Sequence, residues 1–158
     1  MENYEIVHIS EYYFKNCTKD FIEMLDISNV EKQTKRLYLC LKVIIEDNTV
    51  LIPLRTNLPK NLGLIGYHIP SKSKPDAGFD YRKILIINDD KYLNKIIQLN
   101  IPLSQRNAIN ENYDIIVKQA KQYINGYIKS FNKNRHLIDS KFKFSTLHNF
   151  HRELGLKK

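Results

Sequence analysis

The chain has only two cysteines, no long apolar run and almost no acids in its last quarter, and each shortage excludes something. Cys17 and Cys40 lack metal-ligand spacing, so they read as buried free thiols in a reducing cytoplasm. No stretch approaches the roughly 20 apolar residues that a membrane helix needs. The start, Met1 to Glu5, is acidic and has no apolar centre, so it does not read as a secretory signal. A cytoplasmic protein without membrane attachment is the expectation.

Catalytic signatures are missing too. There is no GxSxG, no Walker loop and no glycine-rich dinucleotide turn. No paired carboxylates flank a recognisable cleft sequence. Asn88-Asp89-Asp90 has neither a histidine nor a second acidic cluster to complement it, which disfavours a metal-dependent nuclease. No metal site and no cofactor are expected. Internal repeats and heptads are absent as well.

What is present is one domain's worth of chain, 158 residues, with ordinary apolar content. A single domain over 1–158 is expected. Its net charge of +8 is concentrated. Residues 1–117 carry 15 Lys/Arg against 15 Asp/Glu, whereas residues 118–158 carry 10 Lys/Arg against Asp139 and Glu153 alone. A concentrated basic surface attracts polyanions by counterion release, and nucleic acid is the commonest such partner. The plain alternative is a solvated lysine-rich helix in a protein from an AT-rich genome.

Pattern reading gives a first strand over Glu5 to Ser10 and a short helix after Thr18, its candidate N-cap. A hairpin follows: Leu37 to Ile45, a turn at Glu46-Asp47-Asn48, and a return strand from Thr49 to Leu54. Leu62 to Ile69 is a further strand, and Pro70 to Gly78 a basic flexible loop. Lys83 to Ile87 reads as a strand buried on both faces. Asp89 and Asp90 cap a short helix over Tyr92 to Ile97. Asn112 to Phe131 is the clearest helix, with Tyr113, Ile116, Ala120, Tyr123, Ile124, Tyr127 and Phe131 recurring at threes and fours. Its tyrosine stripe reads as core rather than as a stacking platform. The tail ends in a short helix capped by Ser145 or Thr146, with His148 and His151 on nearby faces.

The hairpin return ends Leu51-Ile52-Pro53-Leu54-Arg55-Thr56-Asn57, setting a cation, a hydroxyl and an amide at a strand end. Those are phosphate-handling groups, although a polar strand end is the plain alternative. RNA can be cleaved without a metal because its 2′-OH attacks the neighbouring phosphate. The enzyme then needs a group for the 2′-OH, donors for the developing charge and an acid for the leaving 5′-oxygen. Lys35, Arg36, Arg55, Thr56, Asn57, His68, His148 and His151 are of the right types, and residue type alone leaves open which of them converge.

Several of these stretches together resemble the type III toxin–antitoxin endoribonucleases, the ToxN/AbiQ/CptN group. The carriers are Lys35-Arg36 leading into LYLCLKVII, the return ending IPLRTN, FDYRKILIINDDKYL at 79–93 and KFKFSTLHNFHRELGL at 141–156. Ile9-Ser10 followed closely by Tyr13 fits as well, and within the group the chain looks closest to the CptN branch. The resemblance implies an α+β fold, a strongly bent and mainly antiparallel β-sheet with surrounding helices, similar to the Kid/MazF toxins. It implies a sequence-preferring, metal-independent RNase that leaves a 2′,3′-cyclic phosphate. It implies an antitoxin RNA pseudoknot as inhibitor, cellular or phage mRNA as substrate, and a closed alternating toxin–RNA assembly in abortive infection or plasmid maintenance.

The same resemblance puts the catalytic lysine at Lys35, with Arg36 beside it, and the hydroxyl role at Thr56. Asn57 stands where the group has serine, and Arg55 is an extra cation. The N-terminal active-site tyrosine falls on Tyr13, and the Phe-Ser pair on Phe144-Ser145. RNA contacts are expected from Arg36, Lys60, Tyr67, His68, Lys72, Lys74, Ser145, Thr146, His148 and His151, with Tyr13 and Tyr67 as base-stacking aromatics. Two rivals remain: a basic RNA- or DNA-binding module without catalysis, and a protein-interaction domain whose lysines reflect genome composition.

Overall fold

The computed structural model describes residues 4–24, 39–61, 63, 65–95 and 101–157. Its organising element is a seven-stranded sheet, and every pairing between its strands is antiparallel. The strands are β1 (Glu5–Ile9), β2 (Leu39–Ile45), β3 (Asn48–Arg55), β4 (Gly66–His68), β5 (Gly78–Asp80), β6 (Leu85–Ile86) and β7 (Leu93–Lys95). Their order is β4-β5-β3-β2-β1-β7, and β6 also pairs with β3. The α+β, mainly antiparallel class expected from the sequence is the class observed.

The β2–β3 hairpin forms where its β-branched runs lie. Ile45 pairs with Asn48, so Glu46 and Asp47 alone make the turn, both at positive φ (50° and 69°). Paired positive φ values match the right-handed twist of the two flanking strands. Val50, Leu51, Ile52 and Pro53 are all buried, as befits a strand with neighbours on both sides. Pro53 has no N–H to contribute, and it stands where β3 exchanges one partner for another. Val50 and Leu51 pair with β6, whereas Leu54 and Arg55 pair with β5.

Among the described residues two α-helices accompany the sheet: α1 (Glu11–Asn16) and α2 (Leu103–Asn132). Helix α1 is capped by Ser10, whose hydroxyl accepts from the Tyr13 N–H. Thr18, expected to begin a helix, instead closes the end of α1 by donating to the Phe14 carbonyl at 2.7 Å. Helix α2 starts well before the expected Asn112. Gln105 and Ile109 extend its buried face, and Gln105 donates 2.7 Å to the Ile69 carbonyl beside β5. The tyrosine stripe is core: Tyr123 and Tyr127 are buried against Phe142. Lys118, Lys129 and Lys133 stand exposed on the outer side.

The short helix expected after Asp89-Asp90 is one 3-10 turn, Asp90–Tyr92, and then strand β7. Pairing with β1 decides this, since His8 and Ile9 lie opposite Asn94 and Leu93. Residues 96–100, the end of that expected helix, lie outside the described residues. The Lys83–Ile87 strand is shorter than expected, because a 3-10 turn over Tyr81–Lys83 precedes β6. Its burial is as expected, with Ile84 to Ile87 all in the core. In the tail, Ser145 caps a 3-10 turn over Thr146–Asn149 by accepting from the Leu147 N–H at 3.1 Å.

Candidate active site

Arg55 is the last residue of β3, and its side chain turns to Asp80 on the neighbouring strand. Its Nη1 donates to Asp80 Oδ2 at 2.8 Å. Arg82 grips the same carboxylate through Nε and Nη2, both at 3.1 Å, and its backbone N–H donates at 3.0 Å. Asp80 is fully buried, while the two guanidinium side chains keep 26% and 23% exposure. One carboxylate thus orients two cations whose outer edges remain in solvent. Bidentate pairing of this kind fixes guanidinium planes as well as charge.

Lys83 adds a third cation. Its Nζ donates to the carbonyls of Glu23 and Phe144 at 2.6 and 2.9 Å. Burial pulls its ammonium below the ordinary value, and Glu23 and Asp80 pull the other way. The C-terminal turn closes over this group. The Thr146 hydroxyl donates to the carbonyls of Ile84 and Arg82. Asn149 brackets Ile22, accepting from its N–H at 2.8 Å and donating to its carbonyl at 2.7 Å. Chain segments far apart in sequence therefore meet around Asp80.

Close approach of β4 requires Gly78. A Cβ there would lie 2.4 Å from the Tyr67 carbonyl oxygen and 2.9 Å from the His68 Cα. Backbone atoms cannot yield as a side chain does. Gly78→Ala is expected to destabilise the protein by about 2 kcal/mol, read as a lower urea midpoint. An unchanged midpoint would contradict the tight β4–β5 packing.

Of the expected site residues, Arg55 sits in the cation cluster, and Thr56 and Asn57 follow it on the exposed rim. Asn57 forms a bridge with Asp76. Lys35 and Arg36 lie outside the described residues. Lys60, Lys72 and Lys74 are exposed, and Tyr67 and His68 are half-buried on β4. His68 shares a row with Gly78 and Arg55, but Leu58 fills the space over Gly78.

Three expectations need correction. Tyr13 is buried, edge-on to Phe14, Phe21 and Tyr92, because α1 turns this side inward. Burial pushes its phenol far above the ordinary range and leaves its ring no open stacking face. Its neighbour Tyr12 is the exposed one, at 61%, stacked on Tyr92. Ser145 and Thr146 are fully buried and bonded inward, so their hydroxyls shape the turn and are closed to solvent. Phe144, just before them, is 54% exposed, and Lys143 lies 5.0 Å from its ring centre.

His148 and His151, expected on nearby faces, both bond the Tyr127 hydroxyl, at 2.7 and 2.6 Å. Burial lowers the basicity of His148. Sequence reasoning missed Asp80, Arg82 and Lys83 as site residues. Their signal was the DYRK run within FDYRKILIINDDKYL, an acid beside two cations just ahead of the buried strand, which folds as a 3-10 turn.

No protein-family model and no curated protein matches the sequence. Solved structures do match. One comes from work on bacterial type III toxin–antitoxin systems, with selective toxin inhibition by a non-coding RNA pseudoknot. It matches with a TM-score of 0.61 at 13% identity, over 78% of this chain and 79% of that one. Another comes from work on a processed non-coding RNA that regulates a bacterial antiviral system. It matches with a TM-score of 0.58 at 14% identity, over 96% of this chain and 99% of that one. Both are ToxN structures.

The chain has the ToxN fold. At such identity the match is one of architecture, and it favours no branch of the group, CptN included. The ToxN fold here carries its cation cluster at the end of β3, the longest strand among the described residues, where a rigid ladder holds it. No helix among the described residues is long and apolar enough to cross a membrane.

Proposed function

We propose that this chain is the toxin of a type III toxin–antitoxin system, a metal-independent endoribonuclease inhibited by an RNA pseudoknot. The observation that carries this reading is the Arg55–Asp80–Arg82 cluster with Lys83, at the end of β3 in a ToxN fold. Oriented guanidinium groups suit a phosphate whose charge grows during reaction.

In the proposed reaction the RNA 2′-oxygen attacks the adjacent phosphorus and the bond to the 5′-oxygen breaks. The products are a 2′,3′-cyclic phosphate and a 5′-OH. The 2′-OH proton leaves to a base, and an acid returns a proton to the 5′-oxygen. Arg55, with Lys35, holds the non-bridging oxygens. Thr56 orients the phosphate or the 2′-OH. Asn57 reads an adenine edge or a phosphate, a pairing geometry familiar for this side chain. The exposed basic side of α2 tracks the backbone of the antitoxin RNA or of an mRNA substrate. Toxin and pseudoknot alternate in a closed assembly, and the system serves abortive infection or plasmid maintenance in the cytoplasm.

Phe144 supplies a base platform next to Lys83. Phe144→Ala is expected to weaken binding of single-stranded RNA about tenfold, the worth of one stacked base, in a fluorescence-anisotropy titration. Unchanged affinity would remove Phe144 from the interface. Expression of the chain without its antitoxin tests the whole reading. Growth arrest is expected, whereas a plain nucleic-acid-binding module leaves growth unaffected.

A further inference from the structure

We propose that His136, His148 and His151 form a site for one divalent ion of the zinc type, which clamps the C-terminal segment to the end of α2. One donor atom from each imidazole lies within 4.8 Å of the other two. Around a tetrahedral ion bound at about 2.0 Å, imidazole nitrogens sit about 3.3 Å apart. Small ring movements close the difference.

Three further features fit a metal. The first is the second layer around His148. The Lys143 carbonyl can only accept, so the 3.1 Å contact from His148 Nε2 carries the ring proton there. The Nδ1 lone pair is then turned inward, toward Tyr127. A backbone carbonyl that fixes the tautomer in this way is characteristic of metal-bound histidine. The Tyr127 hydroxyl donates its one proton to His148 Nδ1 and lies 2.6 Å from His151 Nε2, so an ion takes the place of that hydrogen bond and the phenol moves aside.

The second feature is the wall. The Phe131 ring lies 4.7 Å from both His136 and His151, centre to centre, and His136 itself is buried. This apolar wall keeps water from one side of the donors. The third is the donor set. Imidazoles without a carboxylate select zinc-like ions over magnesium or calcium. His148 and His151 are half-exposed, which leaves an approach and a fourth position for solvent.

The ion would do structural work. His148 holds the Lys143 carbonyl, while Lys83 holds that of Phe144, the next residue. Fixing the imidazoles therefore fixes the turn that carries Phe144 beside the cation cluster. Ion binding itself stands apart from the nuclease reading, and either can fail without the other. The spacing His136-x11-His148-x2-His151 matches no short metal motif, so only the fold brings the three together.

The test uses untagged full-length protein, stripped with chelator and titrated with Zn(II) in a calorimeter. One equivalent per chain is expected. The thermal midpoint should rise by about 5 °C or more at a hundredfold excess over Kd, and Mg(II) should do neither. Co(II) added to the same unmodified protein should give the intense visible bands of a tetrahedral site, which needs no variant to fold. His148→Gln, with its fold checked by circular dichroism, should lose the stoichiometric binding. Failure to bind one equivalent of Zn(II), absence of the cobalt bands, or full Zn(II) affinity in folded His148→Gln would overturn the proposal.

Discussion

Replacing Asp80 with alanine is expected to lower stability by about 3 kcal/mol. The carboxylate is fully buried and receives Arg55, Arg82 and a backbone N–H. Taking it away leaves two guanidinium groups side by side, each mostly buried, with nothing to balance them. The cost stays at the low end for a buried pair because both cations keep about a quarter of their side chains in water. In a domain of this size the loss appears as a fall of roughly 6–12 °C in Tm. RNA cleavage should fall as well, since the two guanidinium groups lose the group that aims them. A melt within about 1 °C of wild type would show that Asp80 does not organise the cluster.

Arg55→Ala separates activity from stability. Asp80 keeps Arg82 and its backbone donor, so stability should drop by only about 1 kcal/mol. Cleavage should fall by about 10²–10³, the usual loss when one donor to a developing oxyanion is removed. Thr56→Ala should give a comparable loss with almost no change in Tm, because Thr56 is exposed. The readout is single-turnover cleavage of a single-stranded RNA, paired with a thermal melt. Lys35→Ala belongs in the same series. Full cleavage by either Arg55→Ala or Thr56→Ala would remove the β3 end from the active site.

Much of the scaffold was legible in the chain itself. The hairpin declared itself through β-branched runs around Glu46-Asp47, and the long helix through apolar residues at threes and fours. The Ser145 cap was one of two named alternatives, and the structure chooses it over Thr146. The losses have separate causes. Helix α2 runs further back because Gln105 is a buried polar residue, invisible to an apolar count until its bond to Ile69 is known. Strand β7 exists through pairing with β1, and three residues hold too little pattern to announce that.

Around the site, the difficulty was one of facing. Tyr12, Tyr13 and Phe14 are adjacent, and only the seating of α1 decides that Tyr12 faces solvent. Arg55 reads only as an extra cation in the sequence, because its partner Asp80 lies 25 residues away on another strand. Ser145 and Thr146 are hydroxyls in a basic segment, and their inward bonds to the 82–84 carbonyls and the cap reverse the expected role. Local composition carries the chemistry of each side chain, whereas its direction is a property of the sheet.

Cleavage by 2′-OH attack and capture of an RNA inhibitor are tested together by purification from cells that also carry the native DNA upstream of the coding sequence, followed by end analysis of the bound RNA. One discrete short RNA ending in a 2′,3′-cyclic phosphate is expected. A preparation without RNA, from a chain that also leaves growth unaffected when expressed alone, would contradict both.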